Sequence, residues 1–225
     1  MTAEPSVPAR DWYLRDPGEV AADLLGATVT TRLPGGDVTV RLTEVEVYRG
    51  AADPASHAFR GRTARNAAMF EEPGRLYVYR HLGLHHCVNV VTGPDGHASA
   101  VLLRAGAVVD GVEVARARRA AAGVTRGDVD LARGPARLAV ALGLDLAALR
   151  ADLTDPAGDV VVHLADGHVP LPHATGPRVG VSGDGADADR YPWRLWLPGE
   201  PTVSVYRPAG PPRRRAAGTS VTRTA

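Results

Sequence analysis

Two β-rich runs, Ala27–Leu33 and Val38–Tyr48, joined by Pro34-Gly35-Gly36-Asp37, constrain the fold more than any other feature of the chain. Proline presets φ and glycine accepts positive φ, so the joint reads as a turn and the two runs as a hairpin. A two-stranded hairpin is marginal in water and needs further strands or a helix to cover its apolar face. The rest of the chain supplies both. Leu76–Arg80, Leu84–Val91 and Ser99–Leu103 read as strands, the last two joined by Gly93-Pro94-Asp95-Gly96; Val160–Leu164, Val179–Val181, Arg194–Leu197 and Val203–Tyr206 read as shorter ones. Asp16 ahead of Pro17 is an N-cap with proline at the first helical position, and Val20, Leu24 and Leu25 then share one face until Gly26 stops the helix. Further helices are expected over Val112–Ala122, Pro135–Leu142 and Leu146–Leu153. Strand runs mixed with segregated helices predict an α+β fold. Between Trp12 and Tyr206 there is no linker and no internal repeat, which predicts a single domain.

What the chain lacks narrows its chemistry. It contains no lysine, so all 26 basic residues are arginines, and no side-chain amine is available for a Schiff base or a phosphate loop. Cys87 is the single cysteine, which rules out an internal disulfide and a cysteine-based zinc cluster and fits a reducing compartment. The opening MTAEPSVPAR has no apolar leader-like core, and no apolar run approaches a membrane span, so a soluble, cytoplasmic protein is expected. The net charge of +1 hides an uneven distribution. Arg49 to Arg126 carries eleven arginines against six acids, a local +5, whereas residues 151–200 carry three against eight, a local −5. Residues 208–225 read as a flexible arginine-rich tail and residues 1–11 as a flexible N-terminus, leaving 12–207 as the folded domain.

The most informative stretch is Leu42-Thr43-Glu44-Val45-Glu46-Val47-Tyr48. A side-chain period of two puts Leu42, Glu44, Glu46 and Tyr48 on one face. On spacing alone, a solvated strand face is the plainer reading. The strand runs into a 25-residue stretch, Arg49 to Pro73, with a short helix expected around Thr63–Phe70 and Ser56-His57 within it. Long loops in compact domains are commonly functional, and a glutamate at a strand end beside such a loop can serve as a general base on water. Arg104 closes an apolar strand and calls for a carboxylate partner, for which Glu46 is suited. Asn89, inside Val88-Asn89-Val90-Val91, needs a structural partner or a ligand. His81, His85 and His86 raise the question of a metal, but their setting is β-branched and glycine-broken and lacks an accompanying HExxH glutamate. No metal or cofactor is expected.

Taken in order, Glu44-Val45-Glu46-Val47-Tyr48, Ser56-His57, Arg65-Asn66-x-x-Met69-Phe70, Pro73-Gly74-x-Leu76-Tyr77-Val78-Tyr79, Cys87-Val88-Asn89 and Val101-Leu102-Leu103-Arg104 resemble the alkyladenine (N-methylpurine, 3-methyladenine) DNA glycosylases. The resemblance continues through Gly134-Pro135-x-x-Leu138 and Pro177-Arg178-Val179-Gly180 to Pro201-x-Val203-Ser204-Val205. It implies a curved, mostly antiparallel sheet flanked by helices, with a DNA-binding cleft. It also implies a monomeric, monofunctional enzyme that flips a damaged purine from double-stranded DNA and hydrolyses its N-glycosidic bond in base-excision repair. By the family pattern Glu46 is the base that activates water, Arg104 and the Val179 carbonyl help to hold that water, and Tyr48, His57 and Tyr79 form the base pocket. Asn89 excludes normal guanine. Leu82 stands where better-known members insert a tyrosine into the gap left by the flipped nucleotide. Two other readings remain open on the sequence: a non-catalytic nucleic-acid-binding module of the same fold, and a glycosidase acting on free sugars through Glu44 and Glu46.

Overall fold

The computed structural model describes residues 6–164 and 169–209. The arginine-rich tail expected at 208–225 lies outside the described residues from position 210 onward. Four helices, α1 (Arg10–Tyr13), α2 (Pro17–Leu24), α3 (Val112–Ala122) and α4 (Pro135–Leu142), accompany eight strands. The strands are β1 (Thr28–Leu33), β2 (Gly36–Tyr48), β3 (Leu76–His81), β4 (His85–Val91), β5 (Ala100–Asp110), β6 (Val160–His163), β7 (Ala174–Gly176) and β8 (Arg194–Trp196). They form one sheet in the order β3-β4-β5-β2-β1-β6, with β8 pairing both β2 and β7, and every pairing is antiparallel. The fold is α+β in a single domain.

α2 forms as its sequence dictates: the Asp16 carboxylate accepts the Gly18 N–H at 2.8 Å, Pro17 opens the first turn, and Val20, Ala21 and Leu24 are buried. α4 likewise starts on Pro135 and stops at Gly143, which sits at φ +73 and returns its N–H to the last turn. Val20, Leu24, Leu138 and Leu142 join Val29, Val78, Val88, Val90, Val101 and Leu103 in one apolar core on one side of the sheet.

β2 is the pivot of the structure. Val38, Val40 and Leu42 point into the core, as do Val45 and Val47, so the parity of the strand inverts between Leu42 and Val45. The cause is a pair of register slips against β5. Leu42 faces Gly106, Glu44 faces Ala105 and Val45 faces Leu103, which leaves Thr43 and Arg104 as extra residues on the two strands. Strict alternation places Leu42 beside the glutamates; the bulge instead sends Leu42 to the core and turns Glu44, Glu46 and Tyr48 to the opposite face. The same stretch of β2 is paired on its other edge by β8, through Glu44–Glu46. Both carboxylates are therefore inside the protein at 0% exposure, not on a solvated strand face.

Several expected elements differ. β5 runs on to Asp110 instead of ending at Leu103. The helix expected over Leu146–Leu153 is a single 3₁₀ turn, Leu146–Ala148, because Arg150 adopts φ +70 and leaves the helical region. Around Thr63–Phe70 only Ala67–Phe70 is helical, again as a 3₁₀ turn. Val179–Val181 and Val203–Tyr206 are not strands. One backbone donor in each goes to a buried carboxylate instead of a neighbouring strand: Val179 N–H to Glu46 and Ser204 N–H to Glu44, each at 2.8 Å. At the other end, Ser6 bridges Leu164 and Arg10 reaches Asp152 at 2.6 Å, while residues 1–5 of the N-terminal stretch lie outside the described residues.

Candidate active site

The face of the sheet opposite the core floors a cavity of about 350 Å³, within the rough 300–1,000 Å³ range of small-molecule sites. Alternation decides which residues reach it. On β3, Leu76 and Val78 enter the core and Tyr77 and Tyr79 the cavity; on β4, Val88 and Val90 enter the core and Cys87 and Asn89 the cavity. On β5, Leu102 and Arg104 face the cavity, and on β2, past the bulge, Glu46 and Tyr48 do. The walls come from the irregular 49–73 stretch through His57 and Met69, and from Val179–Ser182.

Glu46 lies on the floor. Its Oε1 accepts the Val179 N–H at 2.8 Å and its Oε2 accepts the Tyr48 hydroxyl at 3.0 Å. Arg104 Nη1 stands 3.5 Å from Oε1, close enough for charge but without a hydrogen bond. The closer partner of Arg104 is Glu44, reached through Nε at 2.9 Å. Burial, reinforced by the Glu46 carboxylate, holds the Tyr48 hydroxyl well above its ordinary value of 10.0, so it remains a donor to Glu46.

The aromatic wall is tightly connected. The Tyr77 and Tyr79 rings stack at 5.6 Å, and His57 meets Tyr79 edge-on at 4.5 Å while its Nδ1 lies 3.0 Å from the Tyr77 hydroxyl. Burial pushes Tyr77 up to about 12. Asn66 holds the His57 segment by donating to the carbonyls of His57 and Gly61 and accepting the Thr63 N–H. Asn89 donates to the Tyr77 carbonyl at 3.0 Å, which supplies the partner its position requires. Desolvation, followed by the positive Arg65 and by His81, lowers the His57 pKa below 6.5. Its imidazole is expected to be neutral at pH 7 and to titrate below 6.5 in an NMR pH series. A midpoint at or above 6.5 would show that burial does not govern it.

Glu46, Arg104, Val179, Tyr48, His57, Tyr79 and Asn89 thus line one cavity, with Val179 presenting its N–H to the carboxylate. Leu82 does not line it. It occupies the tip of the β3–β4 hairpin at φ +50, followed by Gly83 at φ +71, with the Leu84 N–H returned to His81. Those signs match a type I′ turn, in which a leucine is unusual, and Leu82 is 80% exposed. The same hairpin sets His81 opposite His85 and Arg80 opposite His86, so these histidines are cross-strand neighbours and not a helical pair.

Sequence reasoning missed Tyr77, Met69, Cys87 and Leu102 as lining residues. The parity it shares with Tyr79 was enough to find Tyr77. It also missed a buried pair behind the site, in which Arg178 grips Asp53 through both Nη atoms at 2.6 and 2.7 Å and lies over the Tyr48 ring at 4.7 Å.

The model of the methylpurine-DNA glycosylase family matches residues 11–201 of the chain. Among curated relatives, a protein of Nocardia farcinica is 56% identical over 200 residues, covering 85% of this chain and 88% of its own length. One of Streptomyces avermitilis is 50% identical over 207 residues, covering 92% and 94%. Both carry the name "Putative 3-methyladenine DNA glycosylase". With a family match across most of its length and relatives this similar end to end, the chain belongs to the methylpurine-DNA glycosylase family.

Proposed function

We propose that this protein is a monofunctional purine DNA glycosylase that removes alkylated or deaminated purines, of the 3-methyladenine, 7-methylguanine, hypoxanthine and ethenoadenine class, from double-stranded DNA. The observation that carries the reading is Glu46: a carboxylate with no exposure, at the bottom of an aromatic-walled cavity, with two of about four acceptor sites taken by donors among the described residues. A water bound at the remaining sites is held for attack on the anomeric carbon of a flipped nucleotide. Its oxygen bonds to C1′ as the C1′–N bond breaks, the bonding pair leaves with the purine, and Glu46 takes the water's proton; a cationic alkylated purine thereby leaves neutral, whereas a neutral purine such as hypoxanthine must itself be protonated to leave. As positive charge develops on the sugar, the fixed negative charge of Glu46 stabilises it. Arg104 and the Val179 backbone orient the water.

Tyr48, His57 and Tyr79 supply faces and edges for the flipped base. A purine made cationic at N3 or N7 stacks more strongly on such rings and leaves as a neutral base. Asn89, pinned to Tyr77, sets the cavity boundary that excludes the guanine amino group. No amine participates, so the product is an abasic site with an intact backbone. An excision panel over the four lesions, in duplexes and with the protein as a monomer, tests the reading. Release of free base without strand scission supports it; strongly salt-dependent binding with no release from any lesion would favour the non-catalytic module instead.

Leu82 fills the gap left by the flipped nucleotide, as apolar wedges do in minor-groove binders. Leu82→Ala is expected to slow excision from duplex on the order of tenfold, about 1.4 kcal/mol, and to change excision from single strands far less. Equal losses on the two substrates would count against the wedge.

A further inference from the structure

The two buried glutamates are bonded very differently. Glu44 accepts four hydrogen bonds: Arg194 Nε at 2.5 Å, Arg104 Nε at 2.9 Å and Ser204 Oγ at 2.9 Å on Oε1, and the Ser204 N–H at 2.8 Å on Oε2. Three of these donors converge on Oε1 and one reaches Oε2, twice as many donors as Glu46 receives. Arg194 also donates to the Ser204 carbonyl at 2.8 Å, which closes the cluster on itself. Among the described residues Glu46 accepts only from Val179 and Tyr48, and Arg104 Nη1 stays 3.5 Å from its Oε1.

A guanidinium beside a buried carboxylate ordinarily closes on it as a two-pronged fork. Such a fork would occupy the acceptor sites that Glu46 needs for water. Arg104 does not close because its Nε is spent on Glu44, two residues away on the same face beyond the bulge. We propose that Glu44 is a positioning residue that holds Arg104 back from Glu46, so that the arginine lends charge to the attacking water without blocking the base. This rests on Glu46 being the base.

The groups facing Glu46 are Tyr48 on its own strand, Arg104 from β5, Tyr79 from β3, Cys87 from β4 and Arg178 from the loop before Val179. Burial raises all three neutral groups, Tyr48, Tyr79 and Cys87, so none of them ionises on the acid side of neutrality. His57, across the cavity, titrates there and is followed separately by NMR.

The test is single-turnover excision from lesion duplex against pH. In Glu44→Gln the hold on Arg104 Nε loses its negative charge, and the guanidinium shifts toward Glu46, the carboxylate that remains beside it. The plateau rate should fall about 100-fold, as for a misplacement of about 1 Å, and the acid limb should move to lower pH by about one unit, with lesion binding and the His57 titration unchanged. Arg194→Met predicts the opposite limb shift: Glu44 loses its other cation, draws Arg104 closer, and the limb moves to higher pH. In an Arg104→Met background, Glu44→Gln should change the rate less than twofold. Should Glu44→Gln fail to fold, Arg194→Met decides. A limb that stays in place while the plateau falls would assign Glu44 a purely structural role and overturn the proposal. Glu46→Gln run alongside keeps the premise separate: full activity there removes the base itself, whatever Glu44 does.

Discussion

Replacing Glu46 by glutamine is expected to remove base release almost entirely, on the order of 10²- to 10⁴-fold, with binding to lesion-containing duplex kept within a few-fold. Glutamine has nearly the shape of glutamate and its carbonyl can still accept the Val179 N–H, so the Val179 loop and the Tyr48 ring keep their places. What it lacks is the ability to take a proton from water and the negative charge that matches a positive sugar. The fold should not suffer, because Arg104 stays anchored on Glu44 and is not left as an unpaired buried charge. Thermal unfolding is therefore expected to be unchanged or shifted upward, as when a buried functional charge is removed. Single-turnover release measured beside a binding assay checks both halves. Wild-type release by the variant would sink the assignment of Glu46 as base.

How much of this was legible in the sequence depended on whether the information was local. α2, α3 and α4 were visible because caps, proline and the helical period act within a few residues. The β1–β2 hairpin was visible for the same reason. The inversion at Thr43 was not, because a bulge is a property of two strands, and its other half, Arg104, lies sixty-one positions along the chain. That hidden step separates a glutamate pair lying on a solvated face from one buried in a cavity. The misread runs Val179–Val181 and Val203–Tyr206 fail in a related way. They are apolar enough to read as strands, yet their N–H groups satisfy carboxylates more than 130 residues away.

The site residues carried over by resemblance fall in one cavity, apart from Leu82 at the hairpin tip. The supporting positions received no role from the resemblance: Glu44 and Arg178 stand inside its motifs without one, and Asp53 stands outside them. With no lysine in the chain, every buried cation is a planar guanidinium, and each of Arg104, Arg178 and Arg194 bridges partners from separate segments. A point-like ammonium could not span Glu44 and the neighbourhood of Glu46 at once. The composition that leaves no side-chain amine for lyase chemistry also fixes how the charges of the site are held.

Asp53→Asn is expected to destabilise the protein by about 3–5 kcal/mol, as breaking a buried pair from one side does. Asp53 and Arg178 have fully buried side chains, joined in two parallel bonds. The substituted amide could still accept the Ala55 N–H, but it would leave the Arg178 guanidinium without a hydrogen-bonded carboxylate, among Tyr48, Trp193 and the Val47 and Gly185 carbonyls. In urea the midpoint should fall with an unchanged slope, the signature of lost stability without a change in the surface exposed. The function should fail by a separate route. Arg178 backs the Tyr48 ring and precedes the residue whose N–H holds Glu46, so a double replacement, Asp53→Leu with Arg178→Met, should regain much of the stability while excision stays low. Stability and activity restored together would mean that the pair only fills space. An Asp53→Asn variant as stable as the parent would mean that water or another group reaches Arg178, and that its buried charge is not held by Asp53.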